Sequence, residues 1–316
     1  MTPRESWPSL PLDEWRETQA TLHMWLQIVG KTQLTLTPIQ SHWWNAALRV
    51  TARGLATAPM PIGSATGAAT GTFDIELDFV DHVLVVRTSG GERATLRLRA
   101  QSVAGFFREY RALLQSIGEE LRIYRRPVEV ADAIPFDEDE THASYDADAA
   151  QRCWRILAGT SRVLDAFRAQ FLGKCSPAHF WWGAFDLSCT RFSGRPAPRH
   201  PGGIPNCPDY VMLEAYSHEC ISAGWWPGEG LGEPAFYAYA YPEPAGCPAA
   251  SIRPVAASYH SGLREWILPY DAVRRSPSPA ATLTEFLEST YAAASTLGGW
   301  DRSALERPRR WASTLV

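Results

Sequence analysis

Three histidines and one glutamate carry the side chains that transition metals bind most readily in proteins. They are His42, His179, His218 and Glu214. Two imidazoles with one carboxylate are typical of a mononuclear non-haem iron site, which leaves open positions for substrate or oxygen. The sequence therefore predicts a site for a transition metal such as iron, with a metal-dependent oxidoreductase as one function. The alternative is a set of unrelated core histidines, because no HxD, HExxH or CxxC signature is present.

A second kind of chemistry is proton transfer by Asp186 and His23. Asp186 lies among aromatic residues in a predicted strand, where a carboxylate must gain a partner or change its pKa. We interpret it as a candidate general base, with His23 as a further candidate catalytic residue. The alternative for Asp186 is a salt bridge to an arginine.

Two arginines, Arg191 and Arg195, lie near the end of the same predicted strand, just before a Pro-rich loop. Their guanidinium groups are candidates to orient a carboxylate of the substrate, because arginine binds carboxylates through two parallel hydrogen bonds. The alternative is a surface ion pair with the acidic segment 137–140.

The chain contains 13 tryptophans, among them three adjacent pairs at 43–44, 181–182 and 225–226. Neighbouring residues of a strand point to opposite faces, so each pair directs one indole into a pocket or a core. Indoles that line a cavity stack on rings and exclude water. Tyr237, Tyr239 and Tyr241 form a further stripe that either lines this pocket or covers a sheet. The alternative is an ordinary aromatic core.

The elements that position these residues are read from hydrophobic spacing. Alternation of period two predicts strands over 22–36, 42–53, 73–79, 83–88, 93–99, 179–192, 210–224, 235–241 and 265–270. Helical spacing predicts amphipathic helices over 102–117, 146–171 and 279–297. Ser102 is a predicted N-cap, and the acidic segment 132–142 is the predicted boundary.

These elements predict an α+β fold of largely antiparallel sheets in two similar halves, each closed by an amphipathic helix. The first half, 1–131, is β-rich with one helix. The second, 132–316, contains a linker helix, strands and the final helix. His23-Met24-Trp25 and His179-Phe180-Trp181 open the two halves alike, which suggests an internal duplication.

Composition limits the partners of the protein. Hydrophobic residues are 45% and charged residues 20% of the 316 residues, which is typical of globular proteins, and the net charge of -4 gives no reason to expect nucleic acid. No signal peptide or membrane-spanning stretch is recognisable. The six scattered cysteines are typical of a reducing compartment, so we expect a soluble cytoplasmic protein with a small-molecule ligand.

Several ordered motifs resemble a bacterial family known as domain of unknown function 5996. The matching motifs are WPSLP (7–11), TLHMW (21–25), QIVGK (27–31), HWWN (42–45), ARGL (52–55), GKCSP (173–177), TRFSGR (190–195), EAYSHE (214–219) and LPYD (268–271). The resemblance implies one family unit along nearly the whole chain and supplies no activity. Its polar and aromatic motif residues favour a working site over a scaffold.

Taken together, the residues predict an enzyme that acts on a small organic molecule in a pocket lined by histidine and tryptophan, with or without a mononuclear metal. The alternative is a metal-free protein that binds an aromatic or sugar-like ligand between indoles. A third hypothesis is metal-free acid–base catalysis by Asp186 and a histidine.

Overall fold

The computed structural model describes residues 6–63 and 69–308. Over these residues the chain has the predicted α+β fold, with two antiparallel six-stranded sheets. Its α-helices are α1 (Leu12–Leu36), α2 (Val103–Ser116), α3 (Ala147–Ala169), α4 (Asp209–Ala215), α5 (Tyr270–Arg274), α6 (Pro279–Leu297) and α7 (Arg302–Leu305). Short 3-10 turns lie at Ser41–Trp43 and Cys247–Ala249. None of the described helices is long and apolar enough to cross a membrane.

Helix α1 replaces the strand that was predicted over 22–36. Its residues from Thr21 to Gln33 are all buried, because the helix is surrounded by protein on every side. A helix buried all round shows no apolar stripe, so its sequence is easily taken for a buried strand. Gly30 lets the helix pack closely on Trp182, whose indole N–H donates to the carbonyl of Ala46 at 2.7 Å.

The first sheet is formed by residues 49–97. Its strands are β1 (Arg49–Val50), β2 (Gly54–Ala56), β3 (Met60–Ile62), β4 (Gly71–Asp78), β5 (Val83–Thr88) and β6 (Arg93–Arg97). They run in the order β1-β2-β4-β5-β6, and β3 also pairs with β4. The predicted strands over 73–79, 83–88 and 93–99 are confirmed within a few residues. The strand predicted over 42–53 is wrong in its first part, which forms the turn Ser41–Trp43, and only Arg49–Val50 of it is strand.

The second sheet holds β7 (His179–Trp181), β8 (Asp186–Pro196), β9 (His218–Trp226), β10 (Ala235–Tyr241), β11 (Ser258–His260) and β12 (Glu265–Pro269). The order is β11-β12-β10-β9-β8-β7, so neighbours in space are mostly neighbours in sequence. The predicted strand over 179–192 is interrupted by a turn at 182–185. The strand over 210–224 is wrong in its first part, which is α4, so Glu214 is not on the strand of His218.

The predicted helices over 102–117, 146–171 and 279–297 are confirmed as α2, α3 and α6. The side chain of Ser102 accepts a hydrogen bond from the N–H of Gly105, and Asp146 caps α3 in the same way through Ala149. Helices α3 and α6 contact one face of the second sheet, through β8, β9 and β10. The opposite face of this sheet is therefore not covered by these two helices.

One continuous cluster of buried apolar side chains includes both sheets and the helices between them. Leu48 and Phe180 exchange two backbone hydrogen bonds of 2.9 Å, which join the end of the first sheet to β7. The first predicted half contains two long helices, α1 and α2, rather than one. His23-Met24-Trp25 lies in a helix and His179-Phe180-Trp181 in a strand, so this basis for an internal duplication is wrong. The division at residue 131 remains a prediction.

Candidate functional site

A pocket with a volume of about 430 Å³ lies on the free face of the second sheet. Strands β8, β9, β10 and β12 supply its floor, and the turn Ser41–Trp43, helix α4 and the loops around Glu129 and Glu229 supply its walls. A volume of this size fits a small organic molecule. The pocket is therefore a candidate site for a ligand of that size.

Strand alternation builds the floor. Asp186, Ser188, Thr190 and Phe192 of β8 line the pocket, whereas the intervening Leu187, Cys189 and Arg191 face the helices. The same alternation brings Ser222 beside Thr190, with their hydroxyl oxygens 2.9 Å apart. The floor presents a carboxyl group and hydroxyls, whereas the underside packs against the helices, so the same sheet serves as both core and candidate binding surface.

Asp186 and Tyr237 form the central pair of this floor. Asp186 is only 8% exposed, and the hydroxyl of Tyr237 donates a hydrogen bond to its Oδ2. The phenol reaches Asp186 by crossing Gly224 on the strand between them, where a Cβ would lie 2.8 Å from the phenol oxygen. A glycine at 224 is therefore what lets the pair form. No described arginine or lysine makes a salt bridge to Asp186.

Burial raises the pKa of Asp186 to about 7, and the nearby charge of Glu129 adds to this effect. Burial also raises the pKa of Glu265 to about 7, with a further contribution from Asp186. Burial of the Tyr237 hydroxyl raises its pKa well above the ordinary value, so the phenol remains a hydrogen-bond donor. The carboxyl groups of Asp186 and Glu265 can therefore exchange a proton near neutral pH, which is the property that general acid–base catalysis needs.

Glu129 lies at the pocket wall, on a loop that α1 holds in place. The side-chain amide of Gln27 donates to the carbonyl of Val128 at 2.8 Å and accepts from the N–H of the same residue at 2.9 Å. His23 donates to the carbonyl of Gly183 at 2.9 Å. The Glu129 carboxylate lies against Gly183. Desolvation by the surrounding protein raises the pKa of Glu129 to about 7, but the residue as a whole is exposed, so its charge is more screened by solvent than that of the buried Asp186.

His23 itself does not line the pocket. It is buried in α1, and desolvation lowers its pKa to about 4. The neutral imidazole donates to the Gly183 carbonyl and so fixes the turn at 182–185, against which the Glu129 carboxylate lies. Its predicted catalytic role has no support in this geometry, and a positioning role fits better.

His42 lines the pocket from a strained corner of the backbone. His42 and Trp43 have φ values of 58° and 61°, a left-handed conformation that is uncommon outside glycine. Hydrogen bonds to α4 hold this corner: His42 Nδ1 donates to the carbonyls of Glu214 and Ala215, and the Trp43 indole donates to the carbonyl of Val211. The corner and α4 therefore form one wall.

The predicted metal ligands are brought near one another but are not aimed at one point. Both nitrogens of His42 are used, since Nε2 accepts from the amine of Lys174 at 2.8 Å. Glu214 offers its carbonyl rather than its carboxylate to this contact. The His218 ring lies 5.8 Å from that of His42, and His179 lies on the far side of Trp44. No group of three or more His, Cys, Asp or Glu within residues 6–63 and 69–308 is placed to hold a metal.

The two predicted carboxylate-binding arginines do not line the pocket. Arg191 is buried on the underside of β8, where its guanidinium stacks 3.4 Å from the ring centre of Phe167 and donates to the carbonyl of that residue. Arg195 forms a surface ion pair with Glu219 and donates to the carbonyls of Gly298 and Gly299 at the end of α6. The ion pair expected with segment 137–140 is replaced by this contact with Glu219.

Indoles line the pocket as predicted for part of the tryptophan set. Trp43, Trp44, Trp181 and Trp226 face it, and the Trp181 indole donates to Ser188 at 3.0 Å. Trp182 and Trp225, the partners of Trp181 and Trp226, are buried in the core, as the predicted division of each pair requires. Trp43 and Trp44 both line the pocket, so the predicted division is wrong for this pair, which lies in a turn rather than on a strand. Tyr237 and Tyr239 line the pocket, whereas Tyr241 bonds to the loop carbonyl of Pro198.

Several pocket residues were not identified from the sequence. The pattern Asp186, Ser188, Thr190 in every second position of β8 indicates a polar face and would have revealed the two hydroxyls. Glu265 begins β12, where a single acidic residue gives no signal. Glu129 lies in a loop far along the chain, and only the packing of α1 brings it to the pocket.

The match of the family model decides the relationship of the chain. The model for the family of unknown function DUF5996 matches residues 7–307, nearly the whole length. The chain belongs to this family. No curated protein and no solved structure matches it. Three of the motifs that resembled DUF5996 lie at the pocket: HWWN forms the strained corner, EAYSHE joins α4 to β9, and TRFSGR begins in the pocket floor at Thr190 and continues β8 beyond it. In this DUF5996 member, these three motifs therefore contribute side chains to the pocket.

Proposed function

We propose that the protein is a metal-independent enzyme that binds a small organic molecule between the pocket indoles and moves a proton to or from it at Asp186. The observation that supports this proposal is the hydrogen bond that the Tyr237 hydroxyl donates to Asp186. A buried carboxyl group that is held by a phenol, with no guanidinium or ammonium beside it, has a pKa near neutral and can act as an acid or a base.

The floor around Asp186 supports a ligand that is basic or neutral. Asp186, Glu129, Glu229 and Glu265 line the described pocket, and neither lysine nor arginine is among its lining residues. An acidic ligand would meet like charges there, so the carboxylate-binding role that was expected for arginine has no place in this proposal. Indole and phenol rings also attract cations through their faces.

In this scheme each group has a defined task. Asp186 accepts or returns the proton, and Tyr237 stabilises the ionised carboxylate through its hydroxyl. The indoles of Trp44 and Trp226 hold an apolar or ring portion of the ligand and exclude water. The hydroxyls of Thr190 and Ser222 supply hydrogen bonds to polar groups of the ligand.

The experiment is a panel of small amines and neutral hydroxylated compounds, tested with the chelator-treated full-length protein. Tryptophan fluorescence reports binding, and mass spectrometry reports product. We expect a compound that quenches fluorescence and is converted by the wild type but not by Asp186→Asn. Conversion that survives Asp186→Asn, or that requires an added metal ion, would contradict the proposal. Asp74→Asn, a surface change on the first sheet, is the matched control.

The second candidate is a metal-free binding protein, as the sequence also allowed. It is favoured by the hydroxyl pairs of the pocket, Thr190 with Ser222 and Tyr216 with Tyr239, which offer hydrogen bonds to a polyhydroxylated ligand. The same panel separates the two functions. Saturable quenching without any product supports binding alone.

A further inference from the structure

The segment Gly173–Pro177, which the pocket does not use, contributes a side chain to the underside of β8. The segment Gly173–Pro177 runs antiparallel to β8, with Ser176 N–H donating to Thr190 at 2.9 Å and Phe192 N–H donating to Lys174 at 3.0 Å. This pairing places Cys175 directly opposite Arg191. Cys175 and Cys189 thereby become neighbours although 14 positions separate them.

The sulfur atoms of Cys175 and Cys189 are 3.5 Å apart. All six cysteines of the chain are free thiols, and this pair combines a buried Cys189 with a half-buried Cys175. Forming an S–S bond of about 2.0 Å requires the two sulfurs to approach by roughly 1.5 Å. The pair is therefore close to the geometry of a disulfide.

Arg191 gives this pair an electropositive neighbour. Its guanidinium is 3% exposed, its Nε has no hydrogen-bond partner among the described residues, and none of the described salt bridges involves it. A buried cation without a carboxylate favours a thiolate beside it. The thiol of Cys189 and the charge of Arg191 lower the pKa of Cys175, whereas the same contact and burial raise the pKa of Cys189.

We propose that Cys175 and Cys189 are an oxidative modification site at which a hydroperoxide converts the two thiols into a disulfide. The Cys175 thiolate attacks the terminal oxygen of the hydroperoxide, the O–O bond breaks, and Cys175 becomes a sulfenic acid while the alkoxide leaves (hydroxide in the case of hydrogen peroxide). The Cys189 thiol gives its proton to that leaving group, and its sulfur attacks the sulfenic sulfur, forming S–S and breaking S–O. The hydroxide released from the sulfenic sulfur takes a solvent proton, replacing the one that Cys175 released on ionising. The sum is two thiols and one hydroperoxide to one disulfide, water and the reduced peroxide.

This site is independent of the pocket chemistry, because Cys189 faces the opposite side of β8 from Asp186. The test uses the reduced full-length protein and hydrogen peroxide. We expect a mass loss of two hydrogen atoms, reversed by a dithiol reductant, and a cross-linked peptide that joins Cys175 to Cys189. Cys153→Ala, which removes a buried thiol elsewhere, is expected to react like the wild type.

Cys189→Ala keeps the test informative about the order of the steps. In that variant we expect a sulfenic acid at Cys175 that is trapped by a dimedone probe. Arg191→Gln is expected to slow the oxidation about tenfold, through loss of the charge beside the thiolate. If peroxide treatment leaves all six thiols free, or cross-links other cysteines instead, the proposal is overturned. That result is read from the wild type alone, so it does not depend on any variant folding.

Discussion

Each sheet buries carboxylates, and the two sheets treat them in opposite ways. In the first sheet, Glu76 and Asp78 of β4 are paired with Arg87 and Arg53 at 2.6 and 2.5 Å. In the second sheet, Asp186 of β8 is paired with a phenol. All three carboxylates alternate with apolar neighbours on a strand, so their local sequence looks alike.

The partner decides the chemistry of each carboxylate. Burial alone would raise the pKa of Asp78, but hydrogen bonds from Arg53 and from the backbone of Asp81 and Val80 lower it below its ordinary value. Asp186 receives one neutral hydrogen bond, so burial dominates and the pKa rises to about 7. A strand carboxylate with a guanidinium holds the fold together, and one without it is free to exchange protons.

The largest expected effect is on turnover. Asp186→Asn preserves the shape of the site and removes the exchangeable proton, so the conversion rate of a substrate from the amine panel should fall about 10²–10⁴-fold. Steady-state kinetics on wild type and variant measures this ratio. An Asp78→Asn variant that still folds should keep its rate, since the first sheet contributes no group to the pocket. Equal losses in both variants would remove the distinction between the two sheets.

The next effect is the dependence of stability on pH. A carboxyl group with a pKa of 3.8 in the unfolded chain and about 7 in the folded one binds more protons when folded. The contribution of protonated Asp186 to the free energy of unfolding is therefore largest at acid pH. It is lost as the pH rises from about 4 to 7, by up to about 4 kcal/mol. Urea unfolding of wild type and Asp186→Asn across this range measures it.

In Asp186→Asn this component should be absent, so the two stability curves should separate as the pH rises. Curves that stay parallel would mean that Asp186 titrates near its ordinary value. Asp78 should act in the opposite sense. Its lowered pKa contributes stability above the unfolded pKa, and this contribution is lost as the pH falls through the folded value.

A smaller effect is expected for the structural pair of the first sheet. Asp78→Asn weakens the charged contact with Arg53 and leaves a buried amide, so the free energy of unfolding should fall by about 2 kcal/mol at neutral pH. The loss is below that of a fully buried pair because the Arg53 side chain is 41% exposed. Urea denaturation measures the change, with Asp74→Asn as the control. A neutral outcome would show that the pair contributes little to stability.

The smallest effect is expected at Arg195. Arg195→Ala removes an exposed ion pair with Glu219 and two hydrogen bonds to the end of α6, so unfolding should change by less than about 1 kcal/mol. Ligand affinity in the pocket should stay the same, since the side chain does not line it. A loss of affinity in fluorescence titrations would restore the ligand-binding role that the sequence suggested for this arginine.

Most of the architecture was readable from the sequence wherever one face of an element meets solvent. Strands β4, β5, β6 and β10 and helices α2, α3 and α6 have a clear period and were predicted nearly at their observed bounds. The failures were α1, the corner at His42 and Trp43, and α4. A helix that is buried all round has no stripe, and a left-handed corner of non-glycine residues has no signature in composition.

The site was predicted in part. Asp186, the tyrosine stripe and the division of two of the three tryptophan pairs followed from the alternation expected of a strand. Three further residues were assigned to the site because their residue types suit catalysis, but none of them lines the pocket: His23, Arg191 and Arg195. His42 and His218 come close, but hydrogen bonds to α4 and Lys174 occupy the nitrogens of His42.

The sequence by itself determined the fold class, the Ser102 cap of α2 and the membership in DUF5996. The fold class and the cap follow from residues within a few positions of one another, and the membership follows from ordered motifs along the chain. Only the tertiary structure decided which carboxylates have a cation beside them, that Glu129 reaches the pocket, and that Gly224 lets Tyr237 reach Asp186. These outcomes depend on groups that are far apart in the chain and become neighbours through packing. The pKa of a buried group is set by such neighbours rather than by its own residue type.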